Sequence, residues 1–97
     1  MRQGITNVYI TTTAQFSALV IESLKHLNYS INKINENYYE IILDSYLIMS
    51  PDTIYVFDGL VNSIKVAENQ GRSIISVWLE YPCTYQLKED RSLPERL

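Results

Sequence analysis

Cysteine and histidine are almost missing: Cys83 and His26 are the single representatives among 97 residues. One thiol excludes an internal disulfide and any thiolate cluster for zinc or iron and sulfur, leaving a metal site only to carboxylates or to residues shared between subunits. Neither residue has a partner at a catalytic spacing, so Cys83 reads as an inert thiol and His26 as a charge near a helix end. Glycine is also sparse, and Gly4, Gly59 and Gly71 are too dispersed to cradle a phosphate. No apolar run approaches the roughly 18 residues of a membrane span. The start, MRQGITNVYI, has neither the long apolar stretch nor the small-residue site of a secretion signal. The expectation is a cytoplasmic, intracellular protein with no membrane association, no metal and no cofactor.

Positive charge is missing from a long internal stretch. Between Asn35 and Ile64 stand Glu36, Glu40, Asp44, Asp52 and Asp58 with no Lys or Arg, and the whole chain carries a formal charge of −3. Such a stretch repels a phosphate backbone, which makes nucleic acid an unlikely partner. Its plain reading is a solvated face; its sharper reading is a surface for a basic protein partner.

What the chain does have is Ile, Asn and Tyr, with eight tyrosines. Residues 5–13 (ITNVYITTT) are β-branched or aromatic almost throughout and predict a strand. Directly after them, Phe16, Leu19, Val20, Ser23, Leu24 and Leu27 recur at the offsets of a helical stripe, with Thr12 or Thr13 as N-cap and Lys25 and His26 in the last turn. Two extended pieces then flank a polar turn near Asn35-Glu36-Asn37. In the second piece, Tyr39, Ile41 and Leu43 make a core face, and Glu36, Tyr38, Glu40, Ile42 and Asp44 the opposite one. The stretch RSIISVWLEYP, residues 72–82, predicts a last strand ended by Pro82, with Ile75, Val77, Leu79 and Tyr81 on one side and Ile74, Ser76, Trp78 and Glu80 on the other.

The stretch DTIYVFDGLV, residues 52–61, has two readings. One is a hairpin with Asp58-Gly59 at its tip; the other is the first half of a helix. Ser50 as N-cap, Pro51 at the first helical position and Gly71 after the end supply both helix boundaries, and Ile54, Phe57, Val61, Ile64 and Ala67 supply its stripe. The helix reading is preferred, with Gly59 costing it about 1 kcal/mol relative to alanine. A hairpin at Asp58-Gly59 would overturn it.

The predicted order is therefore strand, helix, two strands, helix, strand: an α+β, ferredoxin-like βαββαβ fold with a four-stranded antiparallel sheet and both helices on one face. One domain spans residues 1–87, followed by a charged tail, 88–97, that is either mobile or docked. The helix-free face is the expected functional surface. Tyr9, Ile42, Ile74 and Trp78 are its candidate interface residues, and Glu36, Tyr38, Glu40 and Asp44 its candidate partner-binding residues. No residue is assigned a catalytic role, because no nucleophile with a base and no acid–base pair emerges. The functional expectation is a small non-catalytic interaction or regulatory protein that forms a homodimer through the sheet face or edge and offers an acidic, aromatic surface to a protein partner. A dimeric α/β-barrel-like enzyme or small-molecule carrier with a pocket between subunits is the alternative. An RRM-like binder of single-stranded nucleic acid is a third, disfavoured by the acidic charge.

Overall fold

Every regular element among the described residues is a strand. The computed structural model describes residues 4–23, 28–47, 49–82, 85 and 95–96. In chain order these form β1 (Gly4–Thr12), β2 (Ser17–Ser23), β3 (Tyr29–Asn35), β4 (Tyr38–Leu43), β5 (Tyr46–Leu47), β6 (Asp52–Tyr55), β7 (Val61–Asn69), β8 (Arg72–Leu79) and β9 (Glu95–Arg96). They build a four-stranded sheet in the order β5-β1-β2-β9 and a five-stranded sheet in the order β3-β4-β8-β7-β6. The α+β, ferredoxin-like arrangement is thus wrong. Both of its helices are strands, and β1 and β4, expected to lie in one sheet, belong to different sheets.

Each misreading has a physical cause. Residues 17–23 fit a helical stripe, but the same residues alternate as Leu19 and Ile21 against Ala18 and Val20, and a short apolar run satisfies both periods. Pairing decides between them: β2 runs antiparallel to β1 with Val8 opposite Ile21 and Ile10 opposite Leu19, so both strands turn these groups into the core. The segment from Ser50 to Gly71 is β6, a loop through Asp58-Gly59, and β7, with Ile54 opposite Ile64 and Tyr55 opposite Ser63. A strand here sets Ile54 and Tyr55 on opposite faces, which in an inner strand would call for cover on both sides. In the structure β6 is an edge strand and Tyr55 is 71 % exposed, so no second cover is needed. Gly71, taken for a helix terminator, is instead the second residue of a two-residue turn. Asn69 pairs with Arg72, and Gln70 and Gly71 between them have φ of 52° and 80°, the left-handed pair that joins tightly twisted hairpin strands.

Other elements lie where the pattern put them. β1 and β8 occupy the predicted extended stretches, and β3 turns into β4 at Glu36-Asn37. Here Asn35 helps close the turn by accepting a hydrogen bond from the Asn37 amide at 2.8 Å. Lys25, His26 and Cys83 lie outside the described residues. So does most of the tail from residue 88, apart from Glu95 and Arg96, whose backbones pair with Ser23 and Glu22.

The core fills the space between the two sheets. Ile5, Val8, Ile21 and Leu47 come from the four-stranded sheet, and Leu43, Val61, Ile64, Val66, Ile75 and Val77 from or beside the five-stranded one. Polar ties fix the layers. The fully buried Ser73 hydroxyl donates to the Ser45 carbonyl at 2.8 Å, and the Leu47 amide donates to Glu68 at 2.7 Å. At the edge, β5 runs parallel to β1 so closely that a Cβ on Gly4 would sit 2.1 Å from the Tyr46 carbonyl oxygen. Only glycine fits there.

Candidate functional site

Because β4, β7 and β8 send Leu43, Ile64, Val66, Ile75 and Val77 into the core, their alternate residues face the other way, away from the four-stranded sheet. The pairing places these residues in three rows. In the first, Tyr38, Trp78, Ser63 and Tyr55 follow one another across β4, β8, β7 and β6. Next come Asn32, Glu40, Ser76, Lys65 and Thr53 across all five strands, and then Ser30, Ile42, Ile74 and Ala67.

Rings dominate one end of this outer face. Tyr38 and Trp78, directly opposite on neighbouring strands, stack with centroids 4.8 Å apart and planes 5° from parallel. Such cross-strand aromatic pairs contribute about 0.5–1.5 kcal/mol beyond burial. The Tyr38 hydroxyl donates to Glu40 at 3.0 Å and lies 3.4 Å from the Ser76 hydroxyl, which fixes both the ring and the carboxylate beside it. Beyond Ser63, Tyr55 stacks with Phe57, 6.1 Å away and 6° from parallel. Ser63 and Ser76 are low points between larger neighbours, each 8 % exposed.

The candidate residues divide accordingly. Ile42, Ile74 and Trp78 share the outer face with Tyr38 and Glu40, and all five are half-buried. Tyr9 does not join them. It pairs with Val20 in the four-stranded sheet, at a position alternate to the core residues Val8 and Ile10. Glu36 is in the β3–β4 turn with Lys33 at 3.2 Å, and Asp44 follows the other end of β4, its amide donating to the Asn28 carbonyl. The expected acidic surface is therefore spread along β4, and only Glu40 stands amid the aromatic and apolar groups.

Asp58, placed on a helix wall by the sequence reading, organises a loop instead. Its Oδ1 accepts the Leu60 and Val61 amides at 2.9 and 2.8 Å, and its Oδ2 accepts the hydroxyls of Thr12, at 2.9 Å, and Ser17. Thr12 and Ser17 belong to the β1–β2 hairpin, so one carboxylate clips the two sheets together at this end. Partial desolvation is the largest single influence on this carboxyl and pushes its pKa up. Donation from Ser17, the Val61 and Leu60 amides and Thr12 together outweighs it and holds the group at about 2, from an ordinary 3.8. The clip leaves three rings nearby open to solvent: Phe16 at 55 %, Phe57 at 61 % and Tyr55. The signal that could have located it was the Asp-Gly dipeptide, a turn former read there as a helix interruption.

Among the described residues no group of three or more His, Cys, Asp or Glu side chains gathers to hold a metal ion, and no helix is long and apolar enough to cross a membrane. Comparison of the chain with protein-family models, with curated proteins and with solved structures gives no match.

Proposed function

We propose that the chain is a small non-catalytic interaction protein that self-associates through the outer face of its five-stranded sheet. The observation that carries this reading is two apolar cross-strand pairs on β4 and β8, Tyr38–Trp78 and Ile42–Ile74, which flank the Glu40–Ser76 row on the side opposite the core. An isolated apolar group on a surface needs no explanation, whereas an aromatic pair and a branched pair on the same sheet face gain by being covered. Each Å² of apolar surface removed from water contributes about 25 cal/mol, so covering such a patch is a driving force for association. Glu40 in the middle of the face weighs against stacked nucleic acid, and its hydrogen bond to Tyr38 gives it an ordering role rather than a catalytic one. A cytoplasmic location goes with this reading: with one cysteine the chain has no internal disulfide for an oxidising compartment to maintain. Cell fractionation that finds the protein outside the cytoplasm would contradict that part.

Sedimentation velocity over a concentration series tests the association. Wild type should show a concentration-dependent shift from monomer towards dimer, and Trp78→Glu should remain monomeric with an unchanged far-ultraviolet circular dichroism spectrum. A wild type that stays monomeric at about 100 µM, a concentration that populates even weak dimers, removes the reading.

A further inference from the structure

The outer face is lopsided about its middle strand. On one side of β8, β4 presents Tyr38, Glu40 and Ile42; on the other, β7 presents Ser63, Lys65 and Ala67 at the same three heights. Large, acidic and large groups are thus matched, row by row, by small, basic and small ones. Rotation by 180° about a line along β8 in the plane of contact keeps every residue at its height and exchanges the two flanking strands. A second copy placed by that rotation sets Tyr38 over the partner's Ser63, Glu40 opposite the partner's Lys65, and Ile42 over the partner's Ala67. Each relation occurs twice, as an isologous interface requires.

We infer that the partner of this face is a second copy of the chain, seated about a two-fold axis along β8 and held in register by two reciprocal Glu40–Lys65 pairs. This rests on the reading of self-association through the outer face and adds the symmetry axis and the register of the two copies. Trp78, Ser76 and Ile74 meet their own counterparts on the axis. Farther out in the same row as Glu40 and Lys65, Asn32 on β3 falls opposite the partner's Thr53, a polar pair at each edge of the contact. The strands of the two copies run in nearly the same direction, the aligned arrangement that twisted sheets adopt when they pack face to face. The Tyr38 hydroxyl holds the Glu40 carboxylate in place before the partner arrives, so less side-chain freedom is lost on pairing.

Size sets the strength. Five strands about 4.8 Å apart and five residues rising about 3.4 Å each give a projected footprint of roughly 24 by 17 Å. That is small beside the approximately 800 Å² per partner of a stable complex, which puts the contact in the class of weak, reversible interfaces.

Charge reversal tests the register without touching the core. Glu40→Lys alone places Lys against Lys across the axis, and Lys65→Glu alone places Glu against Glu. Each variant should dimerise about tenfold more weakly than wild type. An equimolar mixture of the two variants restores opposite charges at both positions and should form a 1:1 heterodimer with an affinity within about threefold of wild type. Sedimentation velocity with one variant fluorescently labelled reads this directly. A mixture as weakly associated as either variant alone overturns the proposed register, as does a Glu40→Lys protein that dimerises like wild type. In those cases a wild type that still associates, with Trp78→Glu monomeric, leaves the outer face as the contact surface and removes only the second-copy register. A monomeric wild type removes both.

Discussion

Replacing Asp58 by Asn keeps the size of the side chain and removes its charge, and it should weaken the fold in a pH-dependent way. The carboxylate accepts four hydrogen bonds: two from its own loop and two from the β1–β2 hairpin of the other sheet. A pKa held at about 2 rather than 3.8 corresponds to roughly 2.5 kcal/mol at about 1.36 kcal/mol per unit. Because Asp58 is only half-buried, solvent screening reduces this to about 1 kcal/mol. The lost acceptor for Thr12 or Ser17 brings the expected destabilisation to about 1–2 kcal/mol at pH 7, a fall in melting temperature of several degrees for a chain of this length.

The sign of the pH dependence follows from the depressed folded-state value. The contribution of the carboxylate is fully present well above 3.8, where it is ionised in both states, and is lost as pH falls through 3.8 towards about 2. Urea unfolding of wild type and Asp58→Asn, followed by the fluorescence of the single tryptophan, should therefore show a stability gap that is widest at pH 7 and narrows steadily below pH 4. Equal stability of the two proteins at pH 7 would refute the clip. So would a gap that does not change between pH 5 and pH 2.

Two further substitutions test local geometry. Gln70→Asn should stabilise the protein by about 0.5–1 kcal/mol in chemical unfolding, because Asn-Gly is the preferred pair for a two-residue turn with both φ values positive, and a neutral or harmful effect would speak against that turn. Gly4→Ala forces a methyl group to within 2.1 Å of the Tyr46 carbonyl, so it should cost about 2 kcal/mol or more by displacing β5 from β1. A Gly4→Ala protein as stable as wild type, by the same unfolding measurement, would mean that the parallel pairing does not exist.

Local pattern carried some of this architecture and non-local pairing carried the rest. The two-residue alternation of β4 and β8 assigned Ile41, Leu43, Ile75 and Val77 to the core, and Ile42, Ile74 and Trp78 to the other side, where the structure has them. β2 could not be settled in the same way. Leu19 and Ile21 meet the needs of a strand only because Ile10 and Val8 lie opposite them, and no local property of residues 17–23 contains that partner. Capping logic misled at Ser50-Pro51-Asp52 and Gly71, since proline before an edge strand and glycine in a hairpin use the same residues as the two ends of a helix. Gly59, at φ 92°, and Phe57, at φ 48°, mark where the chain leaves any helical path. Of these only the glycine was a visible warning. The candidate surface suffered from the same source. Tyr9 was grouped with Trp78 because one sheet was expected, and dividing the strands between two sheets separates them. The row relation between Glu40, Ser76 and Lys65 depends on β7 being a strand, and a helix from Pro51 to the residue before Gly71 does not contain it.

Trp78 is the only tryptophan and lies on the axis strand of the proposed contact, so its exposure to a collisional quencher measures the central claim directly. Acrylamide quenching should be strong in dilute solution, where the protein is monomeric. It should fall several-fold over the concentration range in which sedimentation shows dimer, as the indole becomes covered by its counterpart. Quenching that stays constant while the protein dimerises would place the contact elsewhere and contradict the account.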